Sequence, residues 1–310
     1  MFKRRLTLFA ALLMAVLALG MVIGCETDEE DPEPDPDPND VEEEVEKGFE
    51  SIVGIDPGAG IMAATEDALE VYDLQPGLIE GSDAAMTAEL STAINQEEWI
   101  VVTGWTPHWK FAEWDLKFLE DPEEVYGEEE YIATIAREGL SEDMPEVYEF
   151  LENFHWGDEE IGAVMEMNTE DDDYLGNAQT WIEENEDIVN EWLPEDFGAE
   201  ADGQEVDITM VEWECALATS HVIQAILLDA GYEATLTSVD AGVMWSGIAA
   251  GDNDFFACAW LPGTHGDYEE EYGDEVDEIR ANYEGARIGL VVPEYVDIDS
   301  IEEINEHHLD

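Results

Sequence analysis

Three apolar runs of strand length, Ile100–Gly104, Ile208–Glu212 and Phe255–Ala259, each hand over to a tryptophan: Trp105, Trp213 and Trp260. Each run is too short for a helix and is bounded by turn residues, the pattern of a buried strand. Such runs alternate with helix-length segments. Ser51–Ile55 reads as a strand, Asp56–Gly60 as a tight turn, and Ile61–Val71 and Ala84–Asn95 as helices. Residues from about Glu128 to Trp192 read as a long, Glu-rich helical stretch with breaks at Pro145, Gly157 and the acidic Glu170–Asp173 turn. After a Gly198–Gln204 linker come strand Val206–Val211, helix Ala216–Ala230, strand Glu233–Val239 and helix Val243–Ala250. Strand Ile288–Val292 and a final helix opening at Ser300–Asn305 complete the pattern. Alternation of this kind predicts an α/β protein. Its length suits two lobes with a cleft between them, the first made of residues 49–150 and 293–310 and the second of residues 151–292.

In open α/β sheets, ligands bind beyond the carboxyl ends of the strands. Three indoles delivered to that rim predict a box of aromatic faces, suited to a cation that has charge but no N–H to donate. A single tryptophan is more often core, and Trp99, Trp109, Trp114, Trp156, Trp181, Trp192 and Trp245 are read as core, rim or surface. The repeated strand-end placement sets the other three apart. In Asp56-Pro57-Gly58-Ala59-Gly60-Ile61 a glycine-rich turn opens a helix, so free amides and the positive helix end offer an anion seat at Gly60 and Ile61. No GxGxxG pattern or P-loop lysine is present, which favours a small carboxylate over a polyphosphate. His265, in the turn after Trp260, is a candidate donor to that carboxylate. His108 is a second candidate or a brace for its own loop, and the terminal His307 and His308 are assigned no role. Asp171, Asp173 and Gly176 suggest a calcium loop, but Ile182 stands where the closing acid is needed, and that reading is rejected. No metal spacing, cofactor motif or catalytic triad is found, so no metal, cofactor or enzymatic activity is expected.

Lys3, Arg4 and Arg5 precede an apolar stretch from Leu6 to about Met21, and Val22-Ile23-Gly24 leads into Cys25. That pattern predicts a lipoprotein leader over residues 1–24, lipid on Cys25, and an extracytoplasmic chain anchored to the cell membrane. Residues 25–48 are acidic with interleaved proline and read as an extended tether. The formal charge is −72, from 81 acidic and nine basic residues. Three of the nine lie before Cys25, where there is no acid, so a chain starting at Cys25 keeps six basic residues and carries −75. Such a charge argues against nucleic acid and anionic lipid as partners. With 45% hydrophobic residues the chain is still a folding sequence, and its acidity predicts a protein working in concentrated salt. Cys215 and Cys258 each sit two residues from a rim tryptophan, and a disulfide or two buried thiols are both open.

Several segments together resemble the glycine betaine-binding proteins of ABC importers. They are Gly54-Ile55-Asp56-Pro57-Gly58-Ala59-Gly60-Ile61-Met62, Thr103-Gly104-Trp105-Thr106-Pro107-His108-Trp109, Val211-Glu212-Trp213, Ala259-Trp260-Leu261-Pro262-Gly263-Thr264-His265 and Gly289-Leu290-Val291-Val292-Pro293. The likeness runs through nearly all of residues 50–306, in the chain order with the Gly-Ile-Asp-Pro-Gly segment first. It implies a bilobed periplasmic-binding-protein-like fold of type II. It implies that Trp105, Trp213 and Trp260 cage a trimethylammonium group, while the Gly60 and Ile61 amides and His265 hold the carboxylate. Trp105 and the Gly60–Ile61 turn would come from one lobe and the rest from the other, so that closing the cleft assembles the site for a permease and its ATPase subunits. Proline betaine, choline and carnitine are the alternative quaternary amines. An exported hydrolase and a structural envelope lipoprotein are the competing classes. Cys215 and Cys258 near the cage depart from the family pattern.

Overall fold

The computed structural model describes residues 47–309. The leader, Cys25 and all but the last two residues of the expected acidic tether lie outside the described residues. Nine strands form the framework: β1 (Ser51–Val53), β2 (Gly77–Ile79), β3 (Val101–Thr106), β4 (Leu116–Phe118), β5 (Glu130–Arg137), β6 (Glu205–Met210), β7 (Glu233–Ser238), β8 (Phe255–Leu261) and β9 (Val276–Pro293). In the first half, β2, β1 and β3 are parallel, and the C-terminal part of β9 runs antiparallel between β3 and β4. In the second half, β7, β6 and β8 are parallel, and β5 runs antiparallel between β8 and the N-terminal part of β9. Both halves therefore share one strand order, second-first-third-antiparallel-fourth, although no repeat is visible in the sequence. The 18 residues of β9 belong to both sheets.

Strand pairing shifts the expected boundaries between the halves. The sequence reading puts the handovers at residues 150/151 and 292/293, but β5 pairs with β8 and so belongs to the second half from Glu130 onward. On the return, pairing with β3 begins at Arg287, six residues before the expected break. The stretch from Glu128 to Trp192 is thus a strand followed by helices, among them Pro145–Asn153, Asp158–Glu170, Tyr174–Glu184 and Glu186–Trp192. The run Tyr131-Ile132-Ala133-Thr134-Ile135-Ala136 is buried on both faces apart from Tyr131, so it lacks the period-two alternation that marks a half-exposed strand. The last segment, Ile301–His307, is a 3-10 helix, started by Ser300 and Glu303 in a capping box.

Each half buries its central strands between helices. All seven residues of β8 and five of six in β3 are buried. The Gly60–Val71 helix packs on the first sheet through Ile61, Met62, Thr65 and Ala68, spaced for one helical face. Gly104 and Gly289 face each other across β3 and β9, and a Cβ on Gly104 would lie 2.3 Å from the Val291 side chain. Cys215 and Cys258 are free, buried thiols, and burial pushes the Cys258 thiol up to about 12. Among the described residues no helix is long and apolar enough to cross a membrane, and no cluster of metal-ligating side chains occurs.

Candidate functional site

Four strands, one parallel pair from each half, end on the same cleft. From the end of β1 the chain enters the Asp56–Gly60 turn and the Gly60–Val71 helix, while β3 carries Trp105 near its end. In the second half, Trp213 caps the Glu214–Asp229 helix just beyond β6, and β8 carries Trp260 before the turn to His265. These endings meet around a small, tight pocket lined by Ile55, Ala59, Gly60, Ile61, Trp105, Trp213, Trp260, Thr264 and Ile288. Trp105, Trp213 and Trp260 are at most 3% exposed. Five of the six residues singled out in the sequence, the three tryptophans with Gly60 and Ile61, thus line one space.

His265 stands one layer back. Its ring lies 5.8 Å from that of Trp213, and its Nδ1 accepts the Trp260 backbone N–H at 3.1 Å and the Trp245 indole N–H at 3.4 Å. With Nδ1 accepting, the ring proton belongs on Nε2, which is buried and has no partner among the described residues. Burial pushes His265 down to about 3, so the ring is neutral. The indole nitrogens of Trp105 and Trp260 are likewise buried without a partner. At the start of the Gly60–Val71 helix no side chain caps the backbone. Its first amides, Gly60 and Ile61, have no preceding turn of helix to donate to. Buried donors are normally satisfied. Several such donors thus lie at or just behind the pocket wall, whose accessible surface is apolar.

His108, the second histidine candidate, does not line the cavity; its Nε2 bonds Asp83 at 3.0 Å, and Nδ1 accepts the Lys110 N–H at 3.1 Å. It braces the loop after β3. Several supporting residues had escaped sequence reading. Asp56 accepts the Trp213 indole N–H at 3.2 Å across the cleft. Glu130, at the start of β5, accepts from the Gly263 amide at 2.7 Å and from the Thr264 amide and hydroxyl at 2.5 and 2.6 Å, fixing the turn between Trp260 and His265. Among 81 acids neither could be singled out by type. Lys110 carried a better signal, as one of nine basic residues and set between Trp109 and Phe111.

The two halves meet closely at Gly60. A Cβ there would lie 2.0 Å from the Thr264 carbonyl oxygen, which is backbone and cannot swing aside. Gly60→Ala is therefore expected to prop the halves apart and to weaken ligand binding by at least about tenfold, with a circular dichroism spectrum like that of the unaltered chain. Small-angle scattering with and without ligand checks this, and wild-type compaction would refute the steric argument.

Residues 36–184 and 204–309 match the sequence profile of the OpuAC family, the substrate-binding domain of the ABC-type glycine betaine transport system. The chain belongs to this family. As an OpuAC-family protein it is a transport substrate-binding protein and not an enzyme. It is 42% identical over 258 residues to the glycine betaine/carnitine transport binding protein GbuC of Listeria monocytogenes, covering 82% of this chain and 85% of that one. Among solved structures it is similar to lactococcal OpuAC in a closed, glycine betaine-bound form, at 36% identity and a TM-score of 0.42. That alignment covers 47% of this chain and 58% of that one. A glycine betaine/L-proline-binding protein (ProX) of Borrelia burgdorferi matches at 35% identity and a TM-score of 0.43, over 47% of this chain and 56% of that one. The chain thus spans a little over half the length of these two solved structures.

Proposed function

We propose that this OpuAC-family protein captures glycine betaine outside the cytoplasm and delivers it to the permease and ATPase of an ABC importer. The observation that carries the reading is the shared pocket: three indoles from two halves beside the Gly60–Ile61 helix start. In this reading Trp105, Trp213 and Trp260 surround the trimethylammonium, and the Gly60 and Ile61 amides with the His265 Nε2–H hold the carboxylate. Each indole face contributes about 0.5–2 kcal/mol to a desolvated cation. Charge-assisted hydrogen bonds to the carboxylate add to this. After the cost of association, the sum suits a micromolar Kd, which is about 8 kcal/mol. A ligand with N–H groups on its nitrogen leaves them unpaired among the rings, so glycine itself binds far more weakly. Carnitine shares the headgroup and is longer. Choline leaves the carboxylate donors idle.

The proposed lobes follow strand pairing, with the cleft between them closing over the ligand. Residues 1–24 are proposed as the leader and Cys25 as the lipid-bearing residue, a reading supported by the sequence pattern around it. Titrating intrinsic tryptophan fluorescence with glycine betaine in molar salt tests the ligand assignment. Saturation in the micromolar range, with no response to glycine at the same concentrations, is expected. A flat response to glycine betaine would end the reading.

A further inference from the structure

We propose that Asp83 clamps the closed form, by capping from the first half the helix that starts at Trp213 in the second. This rests on the reading of the chain as a receptor whose halves close on a ligand. Asp83 opens the Asp83–Gln96 helix and is 3% exposed. One of its carboxylate oxygens takes the His108 Nε2–H at 3.0 Å, within its own half. The other takes the Glu214 backbone N–H at 3.2 Å, from the opposite half. Glu214 is the first residue of the 16-residue Glu214–Asp229 helix, and Trp213 in front of it supplies no side-chain cap. A helix start attracts an anion through its unpaired amides and its dipole. Here the anion comes from across the cleft, and the residue it fixes adjoins Trp213, a wall of the cavity.

A brace for His108 alone would need only one carboxylate oxygen. The second oxygen has a partner only while the halves are together. The surrounding charges agree with a contact built for the closed state. Lys110 is fully buried; its Nζ lies 4.0 Å from the Trp105 ring centroid and has no hydrogen-bond partner among the described residues. Lys110 does not line the cavity, so it lies against Trp105 from outside. Burial pushes this lysine down to about 8, opposed chiefly by the charge of Asp83. Burial alone would raise the Asp83 carboxyl, but His108, Lys110 and the Glu214 N–H outweigh it and hold it below its ordinary value. The Glu214 carboxyl beside it is pushed up to about 7, first by burial and then by Asp83. One ionised acid, one lysine and a helix start thus share a dry spot between the halves, where losing a partner is costly.

The clamp acts on how long the closed form lasts, and dissociation rate reads it. Glycine betaine association and dissociation rates are measured by stopped-flow tryptophan fluorescence on the full chain in molar salt. Asp83→Asn keeps the shape but loses the charge, and dissociation is expected to speed up about tenfold with little change in association. Glu214→Pro removes only the amide donor relative to Glu214→Ala. Proline is tolerated at the first position of a helix, and Trp213 before it already has the extended backbone that proline requires. Glu214→Pro is expected to dissociate about tenfold faster than Glu214→Ala, and combining it with Asp83→Asn should add little further. Equal dissociation rates for Glu214→Pro and Glu214→Ala overturn the clamp, as does a wild-type rate in Asp83→Asn. A wild type that ignores glycine betaine fails in a different way, taking the receptor reading and the clamp down together.

Discussion

Replacing Trp213 with alanine is expected to weaken glycine betaine binding by about a hundredfold or more, with the fold retained in molar salt and the melting temperature lowered. The loss follows from what the ring does in the cleft. It lines the pocket together with Trp105 and Trp260, and its N–H holds Asp56 at 3.2 Å from the opposite half. Truncation removes a cation–π face of about 0.5–2 kcal/mol, opens the cavity to water and leaves Asp56 without its donor. Stability falls as well, because the ring is buried in the core, but the helices and sheets it caps are otherwise unaltered, so the circular dichroism spectrum is retained. Fluorescence or calorimetric titration gives the affinity and circular dichroism the melt. Retained affinity would leave the aromatic cage without support.

The second large effect concerns solvent. Moving the protein from about 1 M salt to about 0.01 M extends the screening length from about 3 Å to about 30 Å, so that distant carboxylates begin to repel one another. The chain has little to counter this. Among the described residues, Lys117 and Arg137 are the only lysine or arginine side chains in ion pairs, with Asp299 and with Asp143 and Asp254. Lys110 is spent beneath Trp105, and Arg287 lies 4.3 Å from the Phe118 ring centroid. A formal −72 then acts almost uncompensated. Near-ultraviolet circular dichroism is expected to lose its tertiary signal at low salt and regain it when salt is restored. A melt that does not move between the two conditions would contradict this account of the acidity.

The parallel strands and their helices were legible because they alternate over windows long enough to carry a period. Most boundaries shift by one to three residues, as at Gly60–Val71 against the expected Ile61–Val71. The omissions share physical causes. β2 and β4 are three residues each, too short to show any pattern. β5 follows Glu128 and Glu129 and is buried on both faces, which mimics the interior of a helix. The first part of β9 alternates charged residues with few large apolar ones and is held by pairing to β5 rather than by burial of its side chains. For the site, strand-end tryptophans and a glycine-rich turn could be read because both are rare. Asp56, Asp83 and Glu130 could not, since acidity in this chain reports the solvent everywhere and a site only where the fold brings it to a donor.

The 18 residues from Val276 to Pro293 run unbroken through both sheets. In the proposed receptor, gape and bite would be twist and untwist of this one shared ribbon, together with the crossing between Phe118 and Glu130. Stiffness along that ribbon would then set the rest angle of the open mouth, and a change of side chain far from the indoles, at the passage from Ala286 to Arg287, would retune affinity without touching the cargo.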